Sequence, residues 1–183
     1  MKLKWIYCAI FCSQLVMAPS CSAPIKWKTY QDTRQHIQFN YPSTWSFEKC
    51  IGGYKNGPDL MCLGFQSAPL KQQKYRDYDI LFELQPLTLD QVLSEDLTFE
   101  NSGDQWTRYT SSGVLKAKAI SGATWKGVYV AADCNSGENY AAGDCLFAVI
   151  SHGNRSAIFA TSNAAATKIA LKYMIPSFQF RDA

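Results

Sequence analysis

A β-hairpin is encoded most clearly between residues 144 and 161, which read DCLFAVI (144–150), SHGN (151–154) and RSAIFAT (155–161). The continuous apolar run over residues 146–150 predicts a central strand that is buried on both faces. The small and polar residues 151–154 predict the turn between the two arms. We therefore expect the sheet of this protein to be built around this hairpin.

Earlier parts of the chain predict further strands. Residues 36–41 and residues 78–84 alternate between apolar and polar side chains, which is typical of half-buried strands. Their inward-facing side chains are Ile37, Phe39 and Tyr41 in the first segment and Tyr78, Ile80, Phe82 and Leu84 in the second. Residues 24–34 are interpreted as a polar segment that leads into the first strand. Less regular strands are expected at residues 45–48, 60–65, 106–110, 114–120, 123–132 and 177–180.

Two helices are expected among the strands. Thr88-Leu89-Asp90-Gln91 has the form of a capping box, and apolar residues with helical spacing follow it, so a helix is predicted over residues 88–97. Ser162-Asn163 is expected to cap a second helix from Ala164 to about Met174, which Pro176 should end. Its inward-facing side chains are predicted to be Ala166, Ile169, Ala170 and Tyr173. The pattern favours an α+β fold with a mainly antiparallel sheet flanked by two or three helices over a β-sandwich.

The first 22 residues have the layout of a secretory signal peptide. Lys2 and Lys4 precede a mostly apolar run over residues 5–18, which is shorter than the roughly 20 residues of a membrane span. Cleavage is expected after Ser22 or Ala23. In the alternative, a lipid anchor makes Cys21 the first mature residue. Either route predicts a periplasmic or secreted protein without a membrane span, whose mature chain is a single domain over residues 24–183.

Four cysteines remain in the mature chain, and they are Cys50, Cys62, Cys134 and Cys145. Four cysteines allow three pairings, of which Cys50–Cys62 with Cys134–Cys145 is favoured. Each of these bonds closes a short loop and should contribute ~2.5–3 kcal/mol. The oxidising compartment favours disulfides over free thiols. Since no Cys-x-x-Cys spacing occurs, neither a metal site nor a cofactor is expected.

The charges and the titratable residues exclude several function classes. Export removes two of the 18 basic residues against 15 acidic ones, and this near-neutral balance argues against nucleic-acid binding. His36, on the polar face of a strand, and His152, in the hairpin turn, are expected to be solvated. Two pairs of carboxylates lie close together in the sequence, Asp77 with Asp79 and Glu95 with Asp96. Both pairs are expected to be solvated, because neither comes with an apolar pocket. The chain is therefore not expected to be an enzyme. The enzymatic alternative requires a cleft that joins a histidine to a carboxylate.

Three motifs together resemble the PsbP-like family, whose fold is also used by a Ran-binding nuclear import factor. They are Phe39-Asn40-Tyr41-Pro42-Ser43-Thr44-Trp45, Thr88-Leu89-Asp90-Gln91-Val92-Leu93 and Ile175-Pro176-Ser177-Phe178-Gln179-Phe180. The resemblance spans roughly residues 30–181 and implies an antiparallel sheet covered by helices. It implies an adaptor, an assembly factor or another exported protein rather than a catalyst. The two disulfide loops depart from the family pattern.

The loops between the paired cysteines are the candidate working surface. Tyr54 and Lys55 lie in the first loop, and Glu138, Asn139 and Tyr140 lie in the second. Loops whose ends are joined by a disulfide lose little conformational entropy on binding, and tyrosine is enriched at interfaces. The sequence thus favours a protein-binding domain, such as an inhibitor or immunity protein against a periplasm-acting toxin or hydrolase. An envelope assembly or maintenance lipoprotein tethered through Cys21 is the alternative, and loops stapled for stability alone are a third possibility.

Overall fold

A computed structural model describes residues 24–50, 61–67, 78–96, 99–103, 105–110, 113–131 and 145–181. The strands in this part of the chain are β1 (Trp27–Asp32), β2 (Ile37–Pro42), β3 (Ser46–Lys49), β4 (Met61–Gln66), β5 (Ile80–Gln85), β6 (Glu100–Ser102), β7 (Gln105–Thr110), β8 (Gly113–Lys116), β9 (Lys118–Ser121), β10 (Lys126–Ala131), β11 (Leu146–His152), β12 (Arg155–Thr161) and β13 (Gln179–Phe180). One helical segment is α1 (Leu89–Gln91), which continues as a π-helical turn over Val92–Asp96. The other is α2 (Ala164–Ile169), which continues through a π-helical turn over Ala170–Met174 into α3 (Ile175–Ser177).

Seven strands form the central antiparallel sheet, in the order β3-β4-β5-β12-β11-β10-β9. The predicted hairpin of β11 and β12 lies inside it, with Leu146 opposite Thr161 and His152 opposite Arg155. The side chains of β11 from Leu146 to Ser151 are all buried, which confirms the prediction of a strand covered on both faces. The α+β class with a mainly antiparallel sheet is likewise confirmed.

The first face of the central sheet packs against a three-stranded sheet, β1-β2-β13, and against the C-terminal helical segment. The middle of this core consists of five fully buried phenylalanines, Phe39, Phe65, Phe82, Phe159 and Phe178. The ring centroids of Phe39 and Phe82 are 5.0 Å apart, and those of Phe82 and Phe159 are 5.1 Å apart. Ile37, Phe39 and Tyr41 of β2 are buried, as their alternation predicts.

The second face is covered by α1 with its π-helical turn and by a second three-stranded sheet, β6-β7-β8. Val92 and Leu93 are buried in one cluster with Phe147 and Val149 of the central strand β11. The predicted capping box starts this helix. Thr88 Oγ1 accepts a hydrogen bond from the Gln91 N–H at 3.3 Å, and Gln91 Oε1 accepts one from the Thr88 N–H at 3.0 Å.

The C-terminal helix begins at the predicted cap, where Asn163 Oδ1 accepts a hydrogen bond from the Ala166 N–H at 2.9 Å. Its buried side chains are Ala166, Ala170 and Met174, whereas the predicted inward residues Ile169 and Tyr173 are only half-buried. Pro176 does not end the helix as predicted, because proline is tolerated in the first turn of α3.

Among the described residues, no helix is long and apolar enough to cross a bilayer.

Two strands were not predicted. The polar segment 24–34 contains β1, which pairs with β2 along its whole length, from Trp27 opposite Pro42 to Asp32 opposite Ile37. The short strand β6 pairs with β7 and is exposed throughout. The single strand predicted over residues 114–120 is two strands, β8 and β9. They are separated at Ala117, where the chain passes from the small outer sheet into the central one.

Candidate functional site

A disulfide joins Cys50 to Cys62, as the cysteine spacing predicts. Cys50 follows β3 and Cys62 lies in β4, with Cα atoms 5.3 Å apart. The Cys50 N–H also donates a hydrogen bond to the Cys62 carbonyl at 3.2 Å. The covalent bond therefore links two chain segments that the sheet already holds together. Cys145 is also disulfide-bonded. Its pairing with Cys134 stays a prediction, because residue 134 lies outside the described residues.

The five side chains predicted to contact a partner all lie outside the described residues: Tyr54, Lys55, Glu138, Asn139 and Tyr140. The strands that bracket their loops are described, and they fix where each loop is attached. Neighbouring strands of the central sheet are antiparallel, so strand direction alternates along the sheet order. Segment 51–60 starts where β3 ends, and segment 132–144 starts where β10 ends.

The chain leaves the central sheet in opposite directions at these two points, because β3 and β10 are antiparallel to each other. Following the register from β3 to β10 aligns Lys49 with Tyr129, two residues before the end of β10 at Ala131, so the two points differ little along the strands. Across the sheet, five strand spacings of ~4.8 Å separate β3 from β10 by ~24 Å. The fold therefore separates the bases of the two cysteine-bracketed segments, and it does not bring them together as one surface.

His152 is exposed, as predicted, but its ring is held in place by two contacts. Its Nδ1 lies 2.6 Å from the Thr124 carbonyl oxygen, so Nδ1 carries the proton in this hydrogen bond. The imidazole stacks on the Phe180 ring at 5.8 Å between centroids. The Arg155 guanidinium lies 5.5 Å from the same ring and donates to the Gln35 carbonyl, and its burial lowers the pKa of Arg155. The imidazole that an enzymatic function would need as a general base thus holds the β11–β12 turn in place.

His36 was predicted to lie on the polar face of a strand, but it does not. It occupies the turn between β1 and β2 with a φ of +48°, in the left-handed region that a tight turn requires. The alternating strand begins one residue later, at Ile37. The His36 carbonyl accepts a hydrogen bond from the Arg181 N–H at 2.7 Å. The backbone of His36 therefore fixes the C-terminal end of the described chain.

Asp79 is a structural anchor and not the free, solvated carboxylate that was predicted. Its Oδ2 accepts hydrogen bonds from the Ser67 N–H and hydroxyl at 2.7 and 2.6 Å, and its Oδ1 accepts one from Asn163 Nδ2 at 2.8 Å. It thereby ties the start of the C-terminal helix to the end of β4 and the start of β5. Of the other predicted carboxylates, Glu95 is exposed, and Asp77 and the side chain of Asp96 lie outside the described residues. No group of three or more His, Cys, Asp or Glu side chains in the described part of the chain could hold a metal ion.

β5 contains a buried carboxylate that the sequence pattern does not predict. Glu83 is 4% exposed, and the neighbouring Gln85, 2% exposed, donates from Nε2 to Glu83 Oε2 at 3.4 Å. Alternation assigns both residues to a solvated face, but β5 is buried on both faces apart from Leu81, which is half-buried. Glu83 lies opposite Cys62 in the register. These two polar side chains thus belong to the interior beside the disulfide.

Tyr30 of β1 carries a perturbed phenol. Burial raises the pKa of Tyr30 to about 12, and the charge and hydrogen bond of Asp32 act in the same direction. The ring packs 5.3 Å from Phe39 and 5.4 Å from Phe47 between centroids. Tyr30 is therefore a neutral hydrogen-bond donor that joins the outer strand to the first core.

An open recess of about 440 Å³ lies between α1, β7 and the last strand of the central sheet, β9. Leu89 and Trp106 contribute half-buried apolar side chains, and Ala119 contributes a small one. Lys126 and Asp90 add exposed charges of opposite sign. These residues lie in separate predicted helices and strands, and no pattern in the sequence indicates that they meet. This recess is a concave surface that the described part of the chain offers to a ligand or a partner.

Comparisons with known proteins give a distant structural likeness and no sequence match. No protein-family model matches the chain, and no curated protein matches it. A similar solved structure is the solution structure of cyanobacterial PsbP (CyanoP) from Synechocystis sp. PCC 6803. It is 14% identical, the match covers 90% of this chain and 98% of that chain, and the TM-score is 0.43. A likeness at this level does not place the chain in the PsbP family.

Proposed function

We propose that this chain is an exported, non-enzymatic protein-binding domain that contacts its partner through a cysteine-bracketed loop. The observation that carries the proposal is the Cys50–Cys62 bond, which ties both ends of segment 51–60 to the β3–β4 hairpin. A segment with fixed ends loses less conformational entropy when a partner orders it. In its concrete form, the domain is an inhibitor or immunity protein that blocks a toxin or hydrolase acting in the periplasm.

The roles of the titratable residues support binding over catalysis. His152 and Asp79, which an enzymatic reading would use as base and carboxylate, make structural hydrogen bonds to Thr124, Ser67 and Asn163. The disulfide supports export, because such bonds persist in oxidising compartments. The near-neutral charge of the mature chain supports a protein as the partner and not a nucleic acid.

The two loops are attached far apart across the sheet, which makes the proposal more specific. A cleft in a partner enzyme admits one loop, and a loop based ~24 Å away, on a strand that runs in the opposite direction, lies outside that cleft. We therefore expect one loop to dominate the affinity for a given partner.

Partner capture followed by affinity measurements tests this function. The full-length chain, exported with a C-terminal tag, is used under oxidising conditions to capture its partner from an envelope extract. Calorimetry then compares the wild type with Tyr54→Ala/Lys55→Ala and with Glu138→Ala/Tyr140→Ala. Loss of a tyrosine anchor typically costs ≥2 kcal/mol, or ~30-fold in Kd. One double variant should show a loss of this size and lose any inhibition of a captured enzyme.

The matched control is Lys168→Ala/Lys172→Ala, which removes two exposed charges from the C-terminal helix. It should bind as the wild type does. If both loop variants also bind as the wild type does, the loops are not the contact surface. If the purified wild-type chain leaves the activity of a captured toxin or hydrolase unchanged, the inhibitor role is wrong.

A further inference from the structure

We propose that β9 and the recess beside it bind an extended, acidic segment of a partner protein, which adds to the central sheet as a further strand. This inference rests on the proposed function, since it assigns a second surface and a partner chemistry to the same binding role. It does not depend on the cysteine-bracketed loops.

The backbone of β9 offers unused hydrogen-bonding groups. Where β9 turns towards β10, the Gly122 N–H donates to the Trp125 carbonyl at 2.9 Å. Hydrogen-bonded and non-hydrogen-bonded pairs alternate along an antiparallel ladder, so the next bonded residue of β9 is Ile120. The N–H and C=O groups of Ala119 and Ser121 therefore point away from the sheet. Within the described part of the chain, these outward groups have no hydrogen-bond partner.

Ala117 shows how outward groups at this edge are paired. It precedes β9 and has the same backbone orientation as Ala119, two residues later. Its N–H donates to the Trp106 carbonyl at 2.9 Å, and its carbonyl accepts a hydrogen bond from Gln105 Nε2 at 2.6 Å. A segment placed along Ala119 and Ser121 would continue the line of hydrogen bonds that Trp106 begins. Strand addition of this kind is a common mode of peptide recognition.

The recess can receive side chains from an added strand. Side chains alternate between the two faces of a strand, so every second side chain of the added segment would point to the face that carries Leu89 and Trp106. Both residues are half-buried and apolar, and the indole offers a flat surface to an aliphatic or aromatic group. The volume of about 440 Å³ falls within the roughly 300–1,000 Å³ of typical ligand sites.

The charges along this edge favour an acidic occupant. Lys116, Lys118 and Lys126 are exposed on and next to β9, with Asp90 as the acidic residue of the recess. A second copy of this chain would bring its own lysines to the pairing, and like charges on paired strands are destabilising. An acidic strand neutralises the lysines instead and is attracted over a longer range. Charge complementarity thus selects an acidic partner segment over self-pairing.

Peptide titration followed by NMR tests the site directly. The probe is a pool of octapeptides in which Asp or Glu alternates with Leu, Val or Phe, added to the isotope-labelled, exported chain. A second pool carries Lys in place of the acidic residues. We expect the acidic pool to shift the amide signals of Ala119 and Ser121 and the indole signal of Trp106, with Kd between ~10 μM and ~1 mM. The absence of these shifts, or equal shifts with the basic pool, overturns the proposal.

Variants separate charge from backbone pairing. Lys118→Glu/Lys126→Glu should weaken binding of the acidic pool at least tenfold, while the control Lys168→Glu/Lys172→Glu should not. Ala119→Pro removes an outward N–H without removing a bond to β10, so it should weaken binding, whereas Ala119→Ser should not. Peptides N-methylated at alternate residues remove the same bonds from the other side and do not require a variant to fold. Unchanged affinity in the charge-reversed chain and with the methylated peptides overturns strand addition.

The result is distinguishable from that of the loop experiment. If the loop variants lose a captured partner while Lys118→Glu/Lys126→Glu keeps it and the acidic pool does not bind, the binding function stands and the β9 site is refuted. If the acidic pool binds at β9 while both loop variants keep the partner, the loop assignment fails and the β9 site stands.

Discussion

Removal of the Cys50–Cys62 disulfide should lower the free energy of unfolding by about 3 kcal/mol without changing the fold. The bond closes a loop with a sequence separation of 12. In the chain-entropy account, a cross-link over this distance removes ~9.5 cal/mol/K from the unfolded chain, which corresponds to ~2.8 kcal/mol at 25 °C. The native state should change little, because the backbone hydrogen bond from Cys50 to Cys62 and the β3–β4 pairing do not need the sulfur atoms.

The assay is equilibrium denaturation in urea, monitored by tryptophan fluorescence, of the wild type and of Cys50→Ala/Cys62→Ala. The double variant should also melt ~6–12 °C lower, because 1 kcal/mol corresponds to 2–4 °C in a domain of this size. Its m-value should rise, since the unfolded chain without the cross-link exposes more surface. Reduced wild type is the control, and it should lose more stability, because the disulfide of Cys145 is broken as well.

Two results would refute this reasoning. A loss below about 1 kcal/mol with an unchanged m-value would mean that the cross-link does not restrict the unfolded chain. A loss above about 5 kcal/mol would mean that the sulfur atoms contribute to native packing beside the buried Glu83 as much as to the unfolded state.

Three further substitutions test the core, the sheet register and the outer strand. Phe159→Ala should cost about 3–5 kcal/mol in urea denaturation, because its buried ring packs on Phe82, and Phe159→Leu should cost clearly less; equal costs would argue against this packing. Gly127→Ala should cost at least ~2 kcal/mol, because the added methyl would collide with the Val149 carbonyl, and a loss under ~0.5 kcal/mol would contradict the β10–β11 register. The raised pKa of Tyr30 means that its contribution to stability is complete below pH 10 and is lost as the pH rises towards 12. Between pH 8 and pH 11, the wild type should therefore lose on the order of 1 kcal/mol more than Tyr30→Phe, allowing for solvent screening, and equal losses would exclude this titration.

The strands that the sequence predicts best are those whose burial follows one simple rule. The run over residues 146–150 is apolar throughout because both of its faces are covered, and β2 alternates because one face meets the phenylalanine core. The capping residues Thr88 and Asn163 were also recognised from the sequence, because their hydrogen bonds involve residues only three positions away. Local chemistry and strict periodicity thus account for the successful predictions.

The elements that the sequence did not predict depend on tertiary contacts. β1 is an outer strand in which only Trp27, Tyr30 and Asp32 are half-buried, so the residues that make it a strand look like a polar loop. Glu83 occupies a position that alternation assigns to solvent, and it is buried because distant segments of the chain cover the second face of the sheet. The strand β1 and the burial of Glu83 therefore cannot be predicted from the periodicity of their own segments.

The two candidate sites also differ in whether the sequence alone predicts them. The disulfide between Cys50 and Cys62 was predicted from the cysteine spacing and from the expected export of the chain, both of which rest on the sequence alone. The recess combines Leu89, Trp106 and Lys126, which lie on α1, β7 and β10. No spacing in the chain reports that these three residues meet, because the meeting depends on how α1 and the second outer sheet lie across the central one.

The central sheet has two outer strands, β3 at one end of the strand order and β9 at the other. They are protected from unwanted pairing in different ways, and the difference bears on function. An outer strand exposes unpaired backbone groups that promote aggregation unless something covers or repels a partner. At one end, Phe47 of β3 contacts Tyr30 of β1 at 5.4 Å, so a second sheet lies close to that edge. At the other end, β9 begins with Lys118 and lies beside Lys126. Repulsion between lysines disfavours pairing with another copy of the same strand, whereas the same lysines would attract the acidic strand that we propose. One set of charges would thus both oppose self-association at this edge and select the partner.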